Sequence, residues 1–596
     1  MNKYSIIILF FGFAGLMSCN KKLVEYNPTN PAAGTVWSTP AGFVTNVNGA
    51  YSFIPYLYGN DENGLFLSEP GTDCWYNYNK VSYDIDLTQY QNFTSASNPC
   101  KGVWTTLYKG INQCNAGIGR IDQAGFTDPV EKNMRLAELK FLRGFYYWWV
   151  VEQFGGVVLD TTETTSADLT AKRSPVTDFY NVIINDLQFA VANLPALSAP
   201  SGVPHVSGGA WEYGRATQPA AMALLARVFL SRAYYNTGDQ ASWFQKAHDM
   251  AMQVINNQSQ YNISLYANYA DMWNPTNRQG SSTSKFNKET IFWASYSPSP
   301  NTNLNINGNG NRTNLWFLTN YSGYSAPTIP GLTLSIQYGN DQKNRRFMPT
   351  RPLLNFYNDT IDSRYAASFQ QVWLCNKAYT WTAADVTRFG KDPSLVGHKM
   401  NVGDTAMYIS KHPISNPSKR AYACYGVDST YNADGSISSI EGDHYVVLTK
   451  YLDPLTKAGT TTYPGYLDLP ILRLAEQYLI AAEADVQLNN PGEAASLVNV
   501  LRTRAAIKTP VDHTADMQVG AGDMTLDFIL DERARELCGE YMRWFDLKRT
   551  GKLQSRIAAY NPNITAFNPN YYLRPVPLVE IQGLTNGAAF GQNPGY

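Results

Sequence analysis

Apolar positions recur at steps of three and four along two separated blocks of the chain. Trp104, Leu107, Tyr108, Ile111, Ile118 and Ile121 mark one face of an amphipathic helix over 104–121. The same period predicts helices over 131–153, 178–193, 217–235 and 243–256. Gly155-Gly156 supplies a stop after 131–153, Pro195 follows 178–193, and Thr217 with Pro219 supplies the start of 217–235. The pattern returns at 471–488, 493–506 and 526–540, with a break at Asn490-Pro491-Gly492. Alanines at 475, 481, 482, 484, 494 and 495 allow close helix approach. Paired helices joined by short turns predict a mainly α fold of stacked, tetratricopeptide-like hairpins, although no clean 34-residue repeat is readable.

Between 258 and 470 the helical period disappears. That stretch is rich in Asn, Ser, Gly, Tyr and Pro, with short alternating pieces at 291–294 and 444–448. So long an irregular region is either functional or disordered, and its aromatic content argues against disorder. The expected organisation is a signal peptide over 1–18, a helical part over 19–257, a loop-rich, aromatic-rich excursion with short strands over 258–470, and C-terminal helices and tail over 471–596.

The segment 141–156, FLRGFYYWWVVEQFGG, carries six aromatic residues in its first nine. On a helix, Phe141, Phe145, Trp148 and Trp149 fall on one side and Leu142, Tyr146 and Val150 on the next. A helix apolar over most of its circumference is buried. Glu138, Lys140, Arg143 and Glu152 exclude a membrane span, so core packing is the expected role.

Composition narrows the partners. The 596 residues carry 47 Lys and Arg against 48 Asp and Glu, a net charge of -1, which argues against nucleic acid. At the N-terminus, Lys3 precedes an apolar run over 6–17, too short to span a bilayer and suited to a signal peptide. Leu16-Met17-Ser18-Cys19 resembles a bacterial lipobox, so Cys19 is the expected lipidation site and the lipid the expected membrane tether. Among the six other cysteines no CxxC occurs; Cys74 with Cys100 is the disulfide to consider, and free thiols are the favoured reading. The six His show no HxxxH or HExxH spacing, so neither a metal site nor a cofactor is expected.

The densest charge lies at 531–549. There almost every acid has a cation nearby, as with Asp531 and Arg535 four apart, so a structural ion network is expected rather than an acid/base pair. No G-x-S-x-G, P-loop or complete G-x-G-x-x-G is present, and no catalytic residue is assigned. The positive signal is aromatic residues where no period demands them. Trp75, Tyr76 and Tyr78 lie in TDCWYNYNK beside Asp73; Trp293, Tyr296, Trp316, Tyr321 and Tyr324 lie in the excursion. Flat rings stack on the C–H face of a sugar while Asp, Asn or Arg satisfy its hydroxyls. The expected ligand-binding set is Asp73, Trp75, Tyr76, Tyr78, Tyr296, Trp316, Tyr321 and Tyr324.

The stretch 137–160, AELKFLRGFYYWWVVEQFGGVVLD, resembles the hallmark helix of the SusD/RagB family of Bacteroidetes surface lipoproteins. Segments 173–195, 214–235, 349–365, 470–505, 531–551 and 572–580 resemble the family in the same order. The resemblance implies a non-catalytic, lipid-anchored outer-membrane protein facing the cell exterior. It would bind oligosaccharide and deliver it to a SusC-like TonB-dependent transporter. It also implies glycan contacts from loops between the early helices, matched by Asp73 and Trp75, and from the excursion, matched by residues 316–324. One departure bears on the face of the membrane. Asn20-Lys21-Lys22 follows Cys19 where many members carry acidic residues, and the first acid is Glu25. The alternatives are oligopeptide cargo as in the RagB branch, a surface glycoside hydrolase, or a helical-repeat scaffold that binds only protein.

Overall fold

The computed structural model describes residues 37–78, 85–166, 168–197, 202–235, 238–278, 287–297, 310–321, 328–339, 346–439, 441–454 and 465–596. The signal peptide, Cys19 and Tyr324 lie outside them. The protein is mainly helical with short strands. Its long helices are α1 (Pro40–Tyr51), α2 (Asn98–Arg120), α3 (Pro129–Phe154), α4 (Val176–Asn193), α5 (Gln218–Ala233), α6 (Gln240–Asn256), α7 (Leu474–Gln487), α8 (Pro491–Ala505), α9 (Leu526–Glu536), α10 (Arg543–Arg549) and α11 (Leu553–Tyr560).

Neighbours in sequence are neighbours in space. α1 packs on α2, α2 on α3, α3 on α4, α4 on α5 and α5 on α6. The stack then continues from α6 directly to α7, across the whole excursion, and on to α8 and α9. This is the expected pile of helical hairpins, interrupted once.

α3 is its hub. Asp128 caps it by accepting from the Val130 N–H at 2.8 Å, and Gly155 at φ 72° ends it. Phe141 through Val151 is buried throughout, as the all-round apolar pattern predicts. Gly110 and Gly144 allow the neighbours in: a Cβ at Gly110 would lie 2.7 Å from the Tyr146 ring, and one at Gly144 3.2 Å from Leu187. Trp148 stacks on Phe545 of α10 at 4.7 Å, and Phe141 meets Phe292 of the excursion edge-on at 4.9 Å. Polar tips are satisfied as burial requires: Tyr146 Oη donates to the Ala50 carbonyl at 2.7 Å and Trp149 Nε1 to Tyr58 Oη at 3.2 Å. One hydrophobic core therefore runs through early helices, excursion and C-terminal helices alike.

The excursion is tied down by short strands. Thr290–Ala294 pairs antiparallel with Leu469–Arg473, so Ile471 to Arg473 is strand rather than the first turn of α7. Val372–Leu374, Thr405–Ile409 and Ala423–Tyr425 form a small mixed sheet.

Ion pairs complete the attachment. Glu536 on α9 faces Arg364 at 3.3 Å, Arg473 at 2.8 Å and Arg504. Glu532 takes Arg364 at 2.7 Å, Arg502 at 2.9 Å and Arg535 at 2.6 Å. Lys450 pairs with Glu540 at 2.7 Å, and Glu289 with Arg473 and Arg504. The ion network expected at 531–549 is present, but its pairing differs from the i,i+4 reading: Asp531 takes Arg556 and Arg535 takes Glu532. The reason is burial. α9 lies inside, so its acids answer mainly to cations from other segments, with Arg535–Glu532 a pair within the helix itself. The six described cysteines are free thiols.

Burial pushes the Glu536 carboxyl up, but Arg504, Arg473 and Arg364 outweigh it and hold it at about 2, against an ordinary 4.5. Its contribution to stability is therefore complete above pH 4.5 and lost as the pH falls through about 2. Glu536→Gln is expected to cost about 3–5 kcal/mol at neutral pH by leaving guanidinium groups uncompensated, read as a lower urea unfolding midpoint. The gap to the unmodified protein should narrow as acid protonates Glu536. A gap unchanged from pH 7 to pH 2 would refute this role.

Candidate functional site

Five stretches of irregular chain converge at one edge of the stack. Trp75–Asn77 pairs antiparallel with Phe347–Pro349, Tyr76 opposite Met348. Beyond the pair, the Tyr78 N–H donates to the Arg346 carbonyl at 2.8 Å, and the Arg346 N–H to the Trp316 carbonyl at 3.0 Å. The Arg312 N–H donates to the Gly59 carbonyl at 2.6 Å, and the Asn320 N–H to the Asp443 carbonyl at 3.2 Å. Gly59 sits at φ 100°, where a Cβ would lie 2.7 Å from Asn311 Oδ1, so this crossing needs glycine.

The rings expected to face a ligand form the floor beneath this edge. Trp75 is 1% exposed, Trp316 2% and Tyr321 1%. Trp75 packs edge-on against Phe317 at 4.9 Å, and Phe317 meets Phe347 at 5.6 Å. Their polar atoms are spoken for. Trp75 Nε1 donates to Glu69 Oε2 at 2.9 Å, Tyr321 Oη to the Gly339 carbonyl at 2.6 Å, Tyr76 Oη to the Gly435 carbonyl and Tyr296 Oη to the Tyr58 carbonyl. Asp73 is fully buried between Arg543, at 2.7 Å, and Arg556, at 3.0 Å. Although burial opposes ionisation there, the two guanidinium groups hold its carboxyl well below the usual range. The expectation that Asp73, Trp75, Tyr76, Tyr296, Trp316 and Tyr321 are open to ligand is thus corrected. Loops this long extend the common core, and their aromatic residues fill it.

Tyr78 is the member of the expected set that reaches partial exposure among the described residues. Its ring lies 6.0 Å from Tyr445 at 48°. Around it stand side chains that sequence reasoning did not select. Arg346 pairs with Glu62 at 3.6 Å, and Asn320 Nδ2 donates to Asp443 Oδ2 at 2.9 Å. Asp61, beside Glu62 in the chain, is half-buried, as are Arg312 and Tyr466. Desolvation raises the Asp61 carboxyl, against its bonds to the Asn63 N–H and the charge of Arg312. The arrangement offers the part-exposed Glu62 and Asp443 carboxylates and the Tyr78 ring on one rim, with Arg346, 6% exposed, and Asn320, 2% exposed, buried behind them as their partners. Those are groups that hydrogen-bond hydroxyls and lie against a C–H face. The only sequence signal for them was adjacency to the loop aromatics, as in Asn60-Asp61-Glu62-Asn63.

Two other clefts open elsewhere. One of about 320 Å³ is lined by Phe389, Lys391, Ile414, Pro417, Cys424 and Asp428, and one of about 290 Å³ by Ile85, Asp86, Gln91, Asn92, Thr94 and Ser97. Neither has a Trp or Tyr in its lining.

Comparison with known proteins identifies the fold. Residues 252–596 match the SusD family, and residues 57–230 match the family described as starch-binding associating with outer membrane. The chain belongs to the SusD family. Among its relatives, SusD-like protein P2 of Formosa agariphila is 24% identical over 85% of this chain and 83% of its own length. The starch-binding protein SusD of Bacteroides thetaiotaomicron is 24% identical over 98% of this chain and 96% of its own. Of solved structures, a laminarin-binding SusD-like protein superposes with a TM-score of 0.62 at 20% identity, covering 94% of this chain and all of that one. Surface glycan-binding protein A of Bacteroides thetaiotaomicron superposes with a TM-score of 0.64 at 18% identity, over 94% and 100%. At these identities the superpositions establish the shared fold. No helix among the described residues is long and apolar enough to cross a membrane.

Floor and rim make opposite predictions for stability. Trp75→Ala and Trp316→Ala are each expected to cost about 3–5 kcal/mol, whereas Tyr78→Ala is expected to cost about 1 kcal/mol or less. Urea unfolding of the three variants checks this. Equal losses at Tyr78 and Trp75 would erase the distinction.

Proposed function

We propose that this chain is a non-catalytic, lipid-anchored protein of the outer membrane. It captures oligosaccharide at the cell exterior and passes it to a TonB-dependent transporter. The observation that carries the reading is the polar rim around Tyr78, set in loops of a fold shared with relatives named for binding starch, laminarin and surface glycan. Cys19 would carry the lipid. The ligand would lie against the Tyr78 ring, with Glu62 and Asp443 meeting its hydroxyls and the buried Arg346 and Asn320 holding those carboxylates in place. Capture of this kind needs only moderate affinity, because the cargo must leave again.

The buried acids support binding without bond cleavage. Catalysis on a glycosidic bond needs two carboxyls in an open cleft with separated pKa values. Here Glu532 and Glu536 are sealed among arginines and held ionised. Glu69, raised to about 7 by burial despite bonds from the Met542 N–H and the Trp75 indole, lies fully beneath the surface.

The test is calorimetric titration with α-glucan and β-1,3-glucan oligosaccharides, together with a reducing-end assay on the same mixtures. Saturable binding without new reducing ends is expected for one class. Tyr78→Ala should weaken it about tenfold or more, equivalent to about 1.4 kcal/mol. Reducing ends released at a catalytic rate would overturn the non-catalytic reading. Undiminished affinity in Tyr78→Ala would remove the rim from the site.

A further inference from the structure

Next to the rim, the chain turns sharply through Glu441, Asp443 and His444. One donor atom from each lies within 4.8 Å of the others. His444 Nδ1 stands 2.7 Å from Asp443 Oδ1 and 3.2 Å from Glu441 Oε2. Its side chain is only 9% exposed, and Nδ1 is buried yet angled so that it forms a hydrogen bond with neither carboxylate. Other histidines beside acids behave differently. His205, His412 and His513 each hydrogen-bond a carboxylate at the exposed surface. At His444 a buried ring nitrogen and two carboxylates converge on one spot.

The ring cannot easily turn away. It stacks on Tyr425 at 3.9 Å with 6° between planes, and its backbone carbonyl accepts from Thr430 Oγ1 at 2.8 Å. The Asp443 carboxylate is braced too, since its other oxygen accepts from Asn320 Nδ2 at 2.9 Å. Donors sharing an ion at about 2.0–2.2 Å stand roughly 3–3.5 Å apart around a tetrahedral centre. His444 Nδ1 stands 3.2 Å from the Glu441 oxygen and 2.7 Å from the Asp443 oxygen, and all three donors lie within 4.8 Å of one another. A nitrogen donor with two carboxylates suits zinc-like cations, whereas calcium and magnesium take oxygen shells.

We propose that Glu441, Asp443 and His444 bind one divalent transition-metal cation. The sequence showed no metal spacing because the donors sit in one short loop rather than at helical intervals. The ion would leave one position for water or ligand. It would also lock the rim: the Asp443 carbonyl receives Thr319 Oγ1 at 2.8 Å and the Asn320 N–H, and Tyr445 packs on Tyr78. The site stands independently of glycan binding.

The test uses untagged protein treated with chelator and then titrated with ZnCl2 or CaCl2 in a calorimeter. One saturable Zn2+ site is expected, with Ca2+ at least tenfold weaker. Glu441→Gln and His444→Ala should each weaken Zn2+ tenfold or more. Co2+ loading should give a visible absorption band that both variants lose. Glu441 is 41% exposed, so its variant is expected to fold even if His444→Ala does not. No saturable Zn2+ uptake, uptake unchanged in Glu441→Gln, or equal affinity for Ca2+ would overturn the proposal.

Discussion

Buried ion pairs between distant segments hold this protein's irregular half to its regular half. A stack of helices needs only apolar faces, and it would tolerate the excursion as a loose insertion. The structure instead places Glu289, Arg364 and Lys450 of the excursion in one interior network with Arg473, Arg504, Glu536 and Glu540. The early loop is fastened the same way, with Asp73 gripped by Arg543 and Arg556 of α10 and α11. Charges this deep are costly to desolvate, and each is tolerable only with all its partners in place. That makes the arrangement cooperative. Loops anchored at Asp73, Glu289, Arg364 and Lys450 cannot shift singly without stranding a charge.

The rim inherits its shape from this constraint. The Trp75–Asn77 strand follows Asp73 directly, and its partner strand ends at Pro349, shortly before Arg364. Between them the aromatic floor of Trp75, Phe317, Phe347 and Phe66 fills the gap. A binding edge built on loops is precise only when a packed layer supports it. The tryptophans serve there as support, and above them Tyr78, Glu62 and Asp443 reach partial exposure.

The helices were legible because their apolar period survives wherever one face is buried. α3, α4, α6 and α8 lie within three residues of the predicted bounds. Their errors have physical causes. α1 was missed because glycines and asparagines dilute the signal of Phe43, Val47 and Ala50. Ile471 to Arg473 was read as helix because a short apolar run has no period of its own and pairs as a strand only when Thr290–Ala294 is supplied. The site was less legible for the same reason carried further. In irregular chain a buried ring and an exposed ring have the same sequence appearance. Trp75 and Tyr78 are three residues apart, and only the tertiary partner decides which one faces outward.

The same division separates what positions the loops from what they present. The ion network and α3 set the position of the loops without contacting their outer faces. Substitutions at the part-exposed Glu62 or Tyr78 would therefore change the rim while leaving the buried Asp73, Glu536 and Trp149 undisturbed. Exchanging an inner residue has the opposite effect, because every loop anchored to it would move together. Separating support from recognition in this way lets one scaffold carry different binding edges.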